Sequence, residues 1–442
     1  MFNVTPSMLR EHWGTVTGSE HELGILGRDG QNDFDDMRLP PSEYLQNGGR
    51  IYRDVGHPEI CTAEASNPLQ LLALERAMER RAVRLGLQAS LYKNCVDFAP
   101  SYSNNTYAAH ENYFTCLPPE SADALLPFLV SRTIFTGAGD TSQGEYTLSQ
   151  RAPHITALHS EQTLWSRPLL HERDEPLSNV PRWRRLHLIH NDANMCAASI
   201  LLKHGTTMLV LRLLEQNSLA PLPYNEFQAV EDLHQINRQT SRWTLRGVRP
   251  RAMKAVDVQG FYLNQVASKL PNPSPLERLV ISMWKDVISR LANDPAETVG
   301  LVDWTTKRDL IGQIRATEEG EMYSPQTIDL TYHNIERSSG LYFGLEESGI
   351  APALVSASAV RNFGTTPPKT TRAWARGEAI RLGKHAQSMG WGDVEVYCTW
   401  QFVNVYVNGS ADNDLCVRMP DPRKNYEKSI DALKRRLGIS ES

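Results

Sequence analysis

The hydrophobic pattern near the start of the chain changes period several times. Residues 20–23 alternate and stop at Gly24, as a short strand does. Asn47-Gly48-Gly49 reads as a turn, and residues 50–55 as the strand that leaves it. Asn67 is placed as an N-cap with Pro68 at the first helical position. From there Leu69, Leu72, Ala73, Arg76, Ala77, Arg80 and Val83 recur at helical spacing, predicting a helix that ends near Gly86. Residues 125–135 and 194–215 predict buried helices with brief interruptions, and charged helical stretches occupy much of 276–347. Beyond Pro367-Pro368 the rhythm changes: Val394, Val396, Cys398 and Trp400 alternate with polar residues, as do Val403, Val405 and Val407 before Asn408-Gly409. Two strands and a closing helix over 426–437 make a compact module of roughly 65–70 residues. Strands and helices mixed without a βαβ rhythm predict an α+β fold with a main domain over 1–370 and a small one over 371–442.

Length agrees with that division, because single cores stop growing near ~250–300 residues and the chain has 442. An apolar fraction of 40% and a charged fraction of 22% are those of a globular protein. A net charge of −5 gives no electrostatic reason to expect nucleic acid or an anionic membrane as partner. Glu11 and His12 interrupt the N-terminus, which lacks the apolar core of a secretory signal. No stretch approaches the ~20 apolar residues of a spanning helix. The cysteines are scattered without a C-x-x-C pair, against a disulfide framework or a thiolate zinc site. A cytoplasmic protein is the expectation.

Nucleotide loops of the G-x-x-x-x-G-K-[ST] and G-x-G-x-x-G types are absent, as are H-E-x-x-H and G-x-S-x-G. The first half instead concentrates carboxylates, histidines and asparagines in strand-like contexts. Glu20 and Glu22, two apart, share one face of a strand, where they either form a solvent-facing edge or hold a divalent cation such as magnesium. Asp54 either caps a turn or, at a strand end beside a metal, serves as a general base; His57, Glu59 and Glu64 follow it closely. Lys93-Asn94, Asp97 and His110-Glu111-Asn112-Tyr113 come next. Arg151, Arg173, Arg184 and Arg185, with His187, offer guanidinium forks suited to surface ion pairs or to phosphate. Carboxylates plus arginines without a glycine loop point to phosphoryl transfer through metal clamps.

Longer motifs then stand in a fixed order: G-S-E-H-E-L-G (18–24), N-G-G-R-I-Y-R-D-V-G-H-P-E (47–59), L-Y-K-N (91–94), H-E-N-Y (110–113), S-Q-R-A (149–152), R-D-E-P (173–176), R-R-L-H (184–187), D-A-N-M (192–195) and L-K-H-G-T-T (202–207). With weaker matches as far as P-P-K-T-T-R-A (367–373), the chain resembles the Pup ligase and depupylase family, relatives of glutamine synthetase. The resemblance implies a curved, mainly antiparallel sheet backed by helices, cradling ATP and Mg2+, plus a small C-terminal α+β domain. It implies that ATP phosphorylates the side-chain carboxylate of the C-terminal glutamate of Pup, a disordered ubiquitin-like modifier, and that a target lysine displaces the phosphate. Carried over by position, Glu20 and Glu22 match the metal pair, with Glu59, Glu64 and His187 as further metal or nucleotide contacts. Asp54 matches the catalytic aspartate, and Arg173 neutralises the transferring phosphoryl group; Arg151, Arg185, Asn94 and His110 are the nucleotide candidates.

The direction of the reaction is read from spacing. Asp54 follows Glu20 by 34 positions, leaving no room for the long insertion of the depupylase branch, and D-V-G-H-P-E also resembles the ligase. N-C-V-D (94–97) and F-T-G-A-G (135–139) lean the other way. Cys95, Ile60, Thr106-Tyr107-Ala108 and Asn191 depart from the family pattern around the site. A ligase is therefore expected, with a depupylase or deamidase on the same scaffold, and a non-catalytic modifier-binding homologue, as the alternatives.

Overall fold

A computed structural model describes residues 2–27, 41–54, 56–85, 89–98, 105–107, 109–173, 177–238, 243–408 and 415–439. The first half supplies strands β1 (Val16–Glu22), β2 (Gly24–Gly27), β3 (Ser42–Tyr44), β4 (Arg50–Asp54), β5 (His57–Cys61), β6 (Ala89–Tyr92), β7 (Ala109–Thr115), β8 (Ala157–Ser160), β9 (Pro168–His171) and β10 (Arg184–Leu188). Eight of them form one sheet in the order β3-β4-β5-β1-β7-β10-β9-β8. Neighbours run antiparallel except β8 and β9, a parallel pair at one edge. β2 leaves this sheet and pairs with β6.

Strand periodicity divides the chemistry between the two faces. On β1, Thr17, Ser19 and His21 are buried, whereas Gly18, Glu20 and Glu22 are only half-buried. The rear face is covered by helices, chiefly α1 (Pro68–Leu85) and, after α2 (Leu126–Ser131) and α3 (Thr133–Thr136), by α4 (Ala197–Glu215). Asn67 caps α1 as its sequence requires, its side-chain oxygen accepting the Gln70 N–H at 2.9 Å. Helices α5 (Ala229–Arg238), α6 (Ala255–Lys269) and α7 (Pro275–Asn293) complete the main core, which includes Leu201, Met208, Leu209, Val280 and Trp284. Helices α8 (Asp303–Arg315), α9 (Pro325–Tyr332), α10 (Leu341–Glu347) and α11 (Ala357–Phe363) follow.

Three sequence expectations are corrected here. The first strand begins at Val16, and Gly24 does not end strand structure but opens β2. A Cβ at Gly24 would lie 2.7 Å from the Tyr107 hydroxyl, so the glycine answers a close approach. Secondly, one helix does have the length and apolarity to cross a membrane: α4, with a mean hydropathy of 1.3, of which 89% is buried inside the body. It is apolar all round because it is enclosed by α1, α3 and α7. Lastly, Trp400 lies in the turn after the first C-terminal strand, not in that strand.

That C-terminal part comprises α12 (Arg372–Ser388), the strands β13 (Val394–Cys398), β14 (Phe402–Val407) and β15 (Cys416–Arg418), and α13 (Glu427–Arg436); the strands β11 (Thr244–Leu245) and β12 (Met253–Lys254) form a short hairpin in the main body. Ala379, Leu382, Val403, Val405, Ile430 and Leu433 belong to a separate hydrophobic cluster. The helical ends foreseen at Gly86 and the turn glycine Gly409 lie outside the described residues.

Candidate active site

The register of the antiparallel strands decides which side chains meet on the open face. Glu22 lies opposite Glu59, which lies opposite Tyr52; Glu20 lies opposite Cys61 on one side and His110 on the other. Asn112 faces His187, and His187 faces His171. Asp54, the last residue of β4, pairs with His57 across the β4–β5 turn.

Two groups of possible metal ligands result, side by side: Glu20 with His110 and His187, and Glu22 with Asp54 and Glu59. Within each group the ligand atoms all lie within 4.8 Å of one another. His110 Nδ1 is 3.0 Å from Glu20 Oε2, Asn112 donates to Glu20 Oε1 at 3.2 Å, and Arg185 Nη1 lies 3.5 Å from the same oxygen. Burial would raise the Glu20 carboxyl, but the His110 hydrogen bond and the charge of Arg185 outweigh it and hold the group well below the usual carboxylate range. Burial, then Arg185 and His110, pushes the His187 imidazole far down, keeping it neutral. Neither His187 ring nitrogen has a hydrogen-bond partner among the described residues.

The second group is strained in the opposite sense. Burial and then the negative charge of Glu20 push Glu59 well above its ordinary value, against a hydrogen bond with Tyr52. Burial and then Glu22 raise Asp54. Three carboxylates that close disfavour joint ionisation, and a hard divalent cation removes the conflict. This donor set fits magnesium; the neutral His187 imidazole lies beside it as a further possible ligand.

Next to Glu20 opens a cavity of about 80 Å³, lined among others by Gly18, Phe114, Arg185, Arg372 and Trp400. Two of these come from the C-terminal part. The structure thus brings together Glu20, Glu22, Asp54, Glu59, His110, Arg185 and His187. Glu64 lines the same cavity but joins neither group: its carboxylate is closed by Arg372 Nε at 2.6 Å and by Arg376. These guanidinium groups overcome the effect of burial and bring its carboxyl down to about 2, so it acts as the buried partner of two arginines. Arg151 is buried, donating to the Ile189 carbonyl at 2.9 Å and to Thr106, and Asn94 turns its amide to the Val96 carbonyl. Arg173 is exposed just after β9, its backbone N–H directed to His171 Nδ1 at 3.3 Å; Asp174, Glu175 and Pro176 lie outside the described residues.

Sequence reasoning passed over Asn112, Tyr52 and His171. The first was within reach, since Asn112 follows His110 by two in a strand and must share its face. Behind the sheet, Lys93 Nζ is held by Glu75 at 2.7 Å and Glu79 at 2.9 Å, and His21 reaches Glu75 at 3.4 Å. Lys93 therefore supports the sheet from the rear.

A large antiparallel sheet with helices on one face and paired acidic groups on the other is the arrangement of the carboxylate–amine ligases. Among solved structures, the complex between prokaryotic ubiquitin-like protein Pup and its ligase PafA superimposes with a TM-score of 0.81 at 26% identity, covering 97% of this chain and 93% of that one. The Pup ligase PafA in complex with ADP gives 0.78 at 28% identity, covering 92% of each. The Pup–protein ligase of Mycolicibacterium smegmatis is 35% identical over 78% of this chain and 81% of its own length. That of Acidimicrobium ferrooxidans is 35% identical over 88% of both. The family described as Pup-ligase protein matches residues 15–396, and the chain belongs to that family.

Proposed function

We propose that this protein uses ATP to join the side-chain carboxylate of the C-terminal glutamate of Pup to a lysine of a target protein. The observation that carries this reading is the pair of ligand groups, Glu20 with two histidines and the three carboxylates of Glu22, Asp54 and Glu59, beside a cavity lined by Arg185. The modifier carboxylate attacks the γ-phosphorus of ATP, the bond to the bridging oxygen breaks, and ADP leaves. The lysine amine then attacks the acyl carbon, the bond to the phosphate oxygen breaks, and phosphate leaves with the isopeptide formed.

Glu22 and Glu59, with Glu20 and His187 adjacent, would hold magnesium, which would supply charge neutralisation for the phosphates. Arg185 is fixed by Asn112 at 3.1 Å and presents positive charge at the cavity wall. Arg173, exposed just after β9, is the second guanidinium assigned to the transferring phosphoryl group. Asp54 accepts the proton of the attacking ammonium, because an amine must be unprotonated to attack. Its raised proton affinity makes it a better base than an ordinary aspartate.

The test is a gel-shift assay with ATP, magnesium and Pup ending in glutamate, beside one with a preformed Pup conjugate. Higher-mass bands with release of ADP, absent in Asp54→Asn, are expected. Loss of the conjugate without net ligation would replace this reading with a depupylase.

A further inference from the structure

The face of α1 turned away from the sheet has no part in the chemistry above. It carries Arg76, Arg80 and Arg84 at successive helical turns, so all three project along one side. Arg337 from the segment before α10, and Arg361 of α11, approach the same side. Two adjoining cavities of about 190 and 620 Å³ meet here, and both are lined by Arg80, Arg337, Ile335 and Val360.

The arginines differ in how they are satisfied. Arg76 is buried and committed, bonded to Glu79 at 2.9 Å. Arg337 pairs with Glu346 at 2.7 Å and lies over the Phe343 ring at 4.5 Å. Arg80, Arg84 and Arg361 form no ion pair with any described carboxylate. Burial, followed by the charges of Arg337 and Arg361, lowers the proton affinity of Arg80, so the group is repelled by its neighbours. Guanidinium groups crowded in this way are costly unless an anion joins them, and several forks converging on a concave wall match phosphate oxygens bidentately. The apolar wall of Ile335, Val360 and Val83 gives room for more than an inorganic ion, and the size is that of a small-molecule pocket.

We propose that the groove between α1 and α11, around Arg80, Arg84 and Arg361, binds a phosphate-rich small molecule, a second site distinct from the catalytic cavity. The source is either a nucleotide or a polyphosphate chain, since both present clustered phosphoryl oxygens. The site does not depend on the ligase reading, because none of its residues belongs to the acidic groups of the open face.

Isothermal titration of the full-length protein tests this. Tripolyphosphate is titrated in excess magnesium onto protein carrying a single equivalent of ADP, and ADP is titrated separately. The comparison is the double variant Arg84→Gln/Arg361→Gln, whose side chains are exposed and make no ion pair needed for folding. An unchanged melting temperature and an unchanged first equivalent of ADP verify that the variant is intact. Saturable tripolyphosphate binding that weakens at least tenfold in the variant is the expected result. A second ADP equivalent lost in the variant identifies a nucleotide as the occupant; a single equivalent in both, with tripolyphosphate binding lost, identifies the phosphate chain alone. Absence of tripolyphosphate binding in the natural protein overturns the proposal, as does equal binding in the variant. A decaglutamate peptide bound in its place, in a manner sensitive to the variant, would assign the groove to an acidic protein instead.

Discussion

Asp54 is distinguished from the other carboxylates by what surrounds it. Half-buried at a strand end with Glu22 beside it, it holds its proton more firmly than a free aspartate, which suits a group that must take one from an ammonium. Asp54→Asn keeps the shape and removes the base, so isopeptide formation should fall by ~10²–10⁴-fold, while ADP affinity measured by titration stays within about twofold. Glu59 has a different task. Squeezed by burial and by Glu20, it is stable as an anion only with a cation at hand. Glu59→Gln should raise the magnesium concentration for half-maximal ligation by about tenfold or more, since one charged ligand is lost from a hard-cation set. An unchanged magnesium curve would remove Glu59 from the metal site.

The central strands are loaded on both sides. β1 directs Glu20 and Glu22 forwards and His21 backwards to Glu75, and Lys93 Nζ joins Glu75 and Glu79 in a fully buried layer behind. Removing a single partner of such a layer leaves uncompensated buried charge. Lys93→Met is therefore expected to destabilise the fold by about 3–5 kcal/mol, read as a lowered midpoint in urea. Glu75→Gln introduced together with it should recover part of the loss.

Elements of this kind were unevenly legible in the sequence. Local signals gave α1 with its Asn67 cap, the buried helix α4 and the shared face of Glu20 and Glu22, because each depends on neighbours within a few residues. The parallel pairing of β8 with β9 and the third C-terminal strand carried no such signal. Nor did the meeting of Glu20 with His110 and His187, which depends on the pairing of strands far apart in sequence. Glu64 shows the limit most clearly. It stands in an acid-rich run that reads as part of a metal site, and its partners Arg372 and Arg376 lie more than three hundred positions later. Order within the chain cannot reveal that two guanidinium groups will claim it.

At the scale of the whole molecule, the Glu64 triad ties α12 to the main body. Arg376 also donates to the Gly48 and Trp400 carbonyls, so one guanidinium joins the β3–β4 turn, the segment between β5 and α1 and the C-terminal part. The folded carboxyl of Glu64 titrates at about 2, below its ordinary value. A depressed value means that its stabilisation is complete above the unfolded value near ~4.3 and is lost as pH falls towards the folded one. The stability difference between the natural protein and Glu64→Gln should accordingly be about 3 kcal/mol at neutral pH and shrink between about pH 4 and pH 2. Denaturant midpoints measured across that range check the sign, and a difference that grows on acidification would contradict the triad as drawn.

The same triad bears on synthesis. A nascent chain that has emerged as far as α11 already contains both acidic groups of the open face, yet the Glu64 carboxylate still lacks its two arginines and the cavity still lacks the Trp400 and Arg372 walls. Translation order therefore leaves the cavity wall for last: it closes only once the segments carrying Arg372 and Trp400 have been made and have docked.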